Sequence, residues 1–113
     1  MNSPYELFGV ENLDGWKHLY EPVIWFVETM GGKMFQVKEK FGELRIYIDQ
    51  GDMSDAAYST ARSLIVGCEV ASRYICEVCG KPGTLRTGDW MKTLCDEHHE
   101  EREAARRKLR GTP

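Results

Sequence analysis

The sequence predicts an α+β fold, and three observations carry that expectation. Apolar residues recur at helical spacing in two segments, from Asp14 to Gly31 and from Ser54 to Ile75. Between them Leu44, Ile46 and Ile48 alternate with Arg45, Tyr47 and Asp49, the two-residue period of a half-buried strand. After them come two short-spaced pairs of soft donors, Cys76-Glu-Val-Cys79 and Cys95-Asp-Glu-His98, with fifteen residues between the pairs.

Residues 1–13 show no sustained period and read as an irregular lead-in. From Asp14, a candidate N-cap, Trp16, Leu19, Tyr20, Val23, Val27 and Met30 form a helical stripe that stops at Gly31-Gly32. Pro22 lies inside this run, so a kink or a second helix start is expected there. The segments Met34–Lys38 and Glu43–Asp49, joined through Gly42, predict a β-hairpin. Asp49, Asp52 and Asp55 lack the donor pattern of a calcium loop and read as a turn and a helix cap. Ser54 or Asp55 then caps a long helix with Ala57, Tyr58, Ala61, Leu64, Ile65, Cys68, Ala71 and Ile75 on one face. Cys68 reads as a small buried hydrophobe on that face, and His18 as a solvated side chain. A short hairpin over Thr84–Leu94 turns at Gly88-Asp89, and a last helix begins near Cys95 and runs to Leu109. Glu103 and Arg107 are the expected i, i+4 ion pair on it.

Two thiolates followed by a thiolate and an imidazole form the donor set that a tetrahedral zinc ion takes. Gly80, just after the first pair, suits the sharp turn of a zinc knuckle. A knuckle, a hairpin and a ligand-bearing helix in that order predict a treble-clef-like zinc finger with Cys76, Cys79, Cys95 and His98 as ligands. His99 is the rival to His98, but it lies about 100° further around a helix. Four protein ligands close the coordination sphere, so one structural zinc is expected and no catalysis. A deaminase would place a His-x-Glu ahead of its Cys-x-x-Cys, and residues 84–94 offer no histidine for nuclease chemistry. The cysteine spacing favours a reducing, cytoplasmic setting over disulfides.

The net charge is −3, split as −4 over residues 1–75 and +1 over residues 76–113. Neither part is the basic footprint of a protein devoted to phosphate backbones. The cluster Arg102, Arg106, Arg107 and Arg110 has two readings: a solvated helix end matching the helix dipole, or a nucleic-acid contact. Trp25 sits opposite the apolar stripe of the first helix, where it either anchors an interface or is covered by the lead-in. Arg45 and Tyr47, on the outer face of the second strand, join Trp25 as candidate partner contacts. No apolar run reaches the ~20 residues that span a bilayer.

Lys40-Phe-Gly-Glu-Leu-Arg-Ile-Tyr47, Cys76-Glu-Val-Cys-Gly-Lys-Pro-Gly83, Gly88-Asp-Trp90 and Thr93-Leu-Cys-Asp-Glu-His98 together resemble a group of small, mostly uncharacterised phage and prophage proteins. The similarity covers roughly residues 14–98. It implies an intracellular zinc-bearing accessory protein and no established activity. The expectation is therefore a single domain over 1–113, with a lead-in at 1–13, a helix–hairpin–helix at 14–75, and a finger with a C-terminal helix at 76–113. Its expected function is non-enzymatic binding and modulation of a bacterial host protein, including counter-defence. The alternative is a small zinc-finger regulator that binds nucleic acid.

Overall fold

A computed structural model describes residues 13–88 and 90–111. The lead-in before Leu13, and Asp89 of the expected Gly88-Asp89 turn, lie outside the described residues. The fold is α+β. A 3-10 turn at Asp14–Trp16 leads into α1 (Lys17–Thr29), followed by β1 (Lys33–Lys40), β2 (Glu43–Asp49) and α2 (Asp55–Ser72). The cysteine-rich part adds β3 (Thr84–Arg86), β4 (Lys92–Leu94) and α3 (Asp96–Leu109). Among the described residues no helix is long and apolar enough to cross a membrane.

The first helix differs from expectation at its start. Asp14 makes no side-chain cap; it lies inside the 3-10 turn, and its carboxylate pairs with Lys17 Nζ at 3.3 Å. The helix continues through Pro22 as one element. It ends as expected, with the Gly32 and Gly31 N–H groups donating to the Val27 and Glu28 carbonyls, the hydrogen-bond pair of a Schellman motif. Trp16, Tyr20, Val23, Ile24 and Val27 are buried, whereas Met30 falls outside the core at the helix end.

Strand β1 is longer than its apolar pattern suggested, and it contains a bulge. The register shifts between Met34 and Gln36, which leaves Phe35 as the extra residue. That shift lets Met34 and Val37, three residues apart, both face the core while Phe35 turns out to solvent. On β2 the alternation holds, with Leu44 and Ile46 buried and Ile48 half-buried. Strand pairing runs to Lys40↔Glu43, so only Phe41 and Gly42 form the turn. Their φ angles of 55° and 79° make it a type I′ turn, in which both central residues occupy the left-handed region.

Helix α2 begins at Ser54, whose Oγ accepts the Ala57 N–H at 3.1 Å. Ala57, Ala61 and Ile65 bury one narrow stripe. Leu64 lies outside it, and Ile75 lies beyond the helix end, bridged to Pro82. Tyr58, Cys68 and Ile75 of the expected face are partly buried and pack against this core. Cys68 is half-buried, and its thiol donates to the Leu19 carbonyl of α1 at 3.2 Å.

Helix α2 also seals the outer edge of β2. The Leu44 N–H donates to Ser72 Oγ at 2.9 Å, and the Ile46 N–H donates to Glu69 Oε2 at 3.1 Å. A strand edge left open would template further pairing; here polar side chains satisfy it. Arg45 and Arg73 converge on Glu43 at 2.6 and 3.0 Å. Burial opposes ionisation of Glu43, but its bonds to Arg73 and Arg45 outweigh this and hold the carboxyl below its ordinary range.

Candidate metal centre

The second part of the chain joins the first at two backbone seams. At one, the Gly15 N–H donates to the Glu77 carbonyl at 2.9 Å, and the Trp16 indole N–H donates to the Ile75 carbonyl at 2.8 Å. Gly15 permits this approach: a Cβ there would stand 2.0 Å from the Cys76 carbonyl oxygen. At the other, the Thr93 hydroxyl donates to the Gly42 carbonyl at 2.6 Å, and a Cβ on Gly42 would meet Leu85 at 2.6 Å. The two seams place the knuckle beside α1 and the β3–β4 hairpin beside the Phe41–Gly42 turn.

Between the seams, Cys76, Cys79, Cys95 and His98 converge, with all four donor atoms within 4.8 Å of one another. Gly80 has a φ of 82°, as the knuckle turn requires. Cys79 Sγ lies 3.8 Å from Cys95 Sγ, and His98 Nδ1 lies 3.6 Å from Cys76 Sγ and 3.2 Å from Cys95 Sγ. A tetrahedral zinc ion, with bonds of about 2.3 Å to sulfur and about 2.0 Å to nitrogen, would set its donors about 3.5–3.8 Å apart. A disulfide would need about 2.05 Å. The cluster can thus hold a metal ion, and its donor set is consistent with zinc.

The local sequence explains the geometry. Cys95 is the N-cap of α3, not part of its first turn, and its Sγ accepts the His98 N–H at 3.5 Å. That cap aims the thiolate and the imidazole at the same point. His98 presents Nδ1 to the cluster and turns Nε2 toward Glu101, 3.9 Å away. The neighbouring His99 is not in the cluster; its buried Nδ1 has no hydrogen-bond partner.

Electrostatics around Cys76 favour a ligand-ready thiolate. Burial raises its pKa, but backbone N–H groups of Cys95, Cys79 and Val78 outweigh burial and bring the thiol to about 6. The hydrogen bond with the Cys95 side chain raises the pKa of His98. Beside them, Glu77 is buried, and its Oε1 has no hydrogen-bond partner. Burial pushes its carboxyl up to about 7, against the pull of Lys92 at 3.7 Å.

Of the other sequence-nominated residues, Trp25 is 69% exposed on the solvent side of α1. Tyr47 is exposed on the sheet face that the helices leave open. Arg45 is engaged with Glu43 and lies 3.9 Å from Glu69. Arg45 and Tyr47 share one face of β2, and Trp25 lies on α1. In α3, Arg102 donates to the Trp90 carbonyl, and Arg106 pairs with Glu103 at 3.2 Å, so Glu103 serves Arg106 and not Arg107. Arg107 and Arg110 are exposed. Sequence reasoning passed over Phe41 and Trp90, which are 67% and 63% exposed and border one shallow cavity of about 390 Å³. The signal was present in Phe41-Gly42, a two-residue turn with an aromatic residue where the turn asks for Asn or Gly.

No family model, no curated protein and no solved structure matches the chain.

Two outcomes follow from this geometry. Cys79→Ser should lower zinc affinity at least about 100-fold, beyond the usual cost of losing a partner behind the ligands, and should lower the melting temperature. One equivalent of zinc by elemental analysis with unchanged melting would contradict the assignment. The Glu77 carboxyl is raised in the fold, so its ionisation costs stability increasingly as pH climbs from its unfolded value near 4.5 to about 7. Glu77→Gln should therefore melt higher than the wild type, by a margin that widens between pH 6 and pH 8. A margin that shrinks over that interval would count against it.

Proposed function

We propose that this chain is a non-enzymatic binding protein: a helix–hairpin–helix body carrying a treble-clef-like finger with one structural zinc ion. The reading extends to a phage-type accessory protein that acts in the cytoplasm by binding and modulating a bacterial host protein. Four protein donors complete a tetrahedral sphere and leave no position for water or substrate, which supports a structural metal over a catalytic one. The observation that carries the binding role is aromatic exposure. Trp25, Phe35, Phe41, Tyr47, Tyr74 and Trp90 all stand in solvent, although large rings are what a small core most needs. Rings of this kind anchor protein interfaces.

The nucleic-acid alternative draws less support. Among the arginines behind it, Arg102 is held on the Trp90 carbonyl and Arg106 on Glu103. The same helix carries Asp96, Glu97, Glu100, Glu101 and Glu103, which repel phosphate. A test is capture on the immobilised zinc-loaded chain from bacterial lysate, followed by reconstitution from purified components. A saturable complex with one bacterial protein that survives nuclease treatment and moderate salt is expected. Recovery of nucleic acid alone, with affinity falling steeply with salt, would instead favour the alternative.

A further inference from the structure

The side chain of Phe41 has no folding reason to be where it is. A type I′ turn favours Asn-Gly, because both central residues need positive φ, and a bulky side chain in that region is uncommon and strained. Phe41 nevertheless adopts a φ of 55° and leaves its ring two-thirds exposed. The turn is held from below by the Thr93 hydroxyl on the Gly42 carbonyl and by the Glu39 carboxylate, which accepts the Gly42 N–H at 3.0 Å. Strain that the surroundings impose on an exposed residue marks a functional position more often than a structural one.

Trp90 is the other exposed ring of this surface. Its main chain is fixed by Arg102 from α3, while its indole remains in solvent. Phe41, Trp90 and Met91 form the apolar part of a cavity of about 390 Å³, bordered by Glu39, Lys40 and Gly88. Room for one or two large side chains is what an interface anchor requires.

Among the described residues that line this cavity, the charged ones are Glu39 and Lys40, and Lys38 lies two residues from Lys40 on the same strand. Lys40 Nζ lies over the Phe41 ring at 5.8 Å, and Lys38 Nζ lies over Tyr47 at 5.5 Å. Among the described residues neither lysine has a carboxylate partner. Glu39, the one carboxylate among the described lining residues, is already engaged by the Gly42 N–H and by Lys92 at 4.0 Å. Cations held over rings beside an apolar cavity complement a ligand with both carboxylates and a large apolar group. A second copy docking face to face would bring the same lysines together, and a phosphate backbone meets a chain whose net charge is −3.

We propose that the Phe41–Trp90 face binds an acidic peptide segment of a partner protein. A large apolar side chain of that segment seats between the two rings, and flanking carboxylates engage Lys38 and Lys40. This rests on the binding-protein reading and names the chemistry of its partner.

The test is selection of a displayed random peptide library on the zinc-loaded full chain, followed by anisotropy titration of the enriched peptides. The enriched peptides should share a bulky apolar residue flanked by Asp or Glu. Their affinity should fall at least tenfold with Trp90→Ser and with the double change Lys38→Glu, Lys40→Glu. Phe41→Asn supplies a fold-independent control: it relieves the turn, so it should melt at or above the wild-type temperature while losing the peptide. Enriched peptides without acidic residues, or affinity unchanged in these variants, would overturn the proposal. So would an empty selection, binding of a fifteen-residue oligothymidylate in place of peptides, or dimerisation through this face by sedimentation. A bacterial-protein complex that survives Trp90→Ser would overturn this assignment yet leave the binding-protein reading standing.

Discussion

The last third of the chain has almost no apolar interior, and everything about its architecture depends on what replaces one. Helix α3 buries no residue, and the buried apolar cluster of this part consists of Cys76, Leu94 and Cys95. Two strands of three residues and a surface helix cannot offset their own ordering entropy by burial of that size. The constraint that can is the convergence of three sulfur atoms and one nitrogen on a single point. Metal coordination at that point would bind knuckle, hairpin and helix start together, as it does in small domains whose metal-binding energy is also their folding energy.

The cysteine-rich part does not hang free of the body. Gly15 lets the 3-10 turn touch the main chain of the knuckle, and Thr93 fastens the β3–β4 hairpin to the Phe41–Gly42 turn. The second seam also shapes the surface. It brings Trp90, on the cysteine-rich part, beside Phe41, on the body, so that one exposed surface is shared between two halves that are far apart in sequence. A cluster of donors that looks remote from any binding event is thereby the support of the surface.

The sequence made the chemistry of the ligands legible, because ligand type and spacing are local properties. His98 rather than His99 joins the cluster, as the spacing suggested, but Cys95 does so as the N-cap of α3 and not as a helical residue. The Ser54 cap, the Gly31-Gly32 stop and the alternation of Leu44, Ile46 and Ile48 were likewise legible. What could not be read was anything set by contacts between distant segments. The bulge at Phe35 follows from the need to bury both Met34 and Val37. The capping of the β2 edge by Ser72 and Glu69 joins residues more than twenty positions apart. Arg45 looked free on its strand face, yet Glu43 and Glu69 engage it in the folded chain. Phe41 and Trp90 were hidden for the same reason: their adjacency is created by the Thr93–Gly42 seam.

The central claim is that coordination at Cys76, Cys79, Cys95 and His98 holds the shared surface in place. Amide hydrogen exchange of the full chain, with zinc bound and after chelation, addresses this directly. Chelation should release protection across residues 76–98 and at the Phe41–Gly42 turn, while the amides of α1 and α2 stay protected. Unchanged protection at residues 76–98 and at the turn would contradict the account.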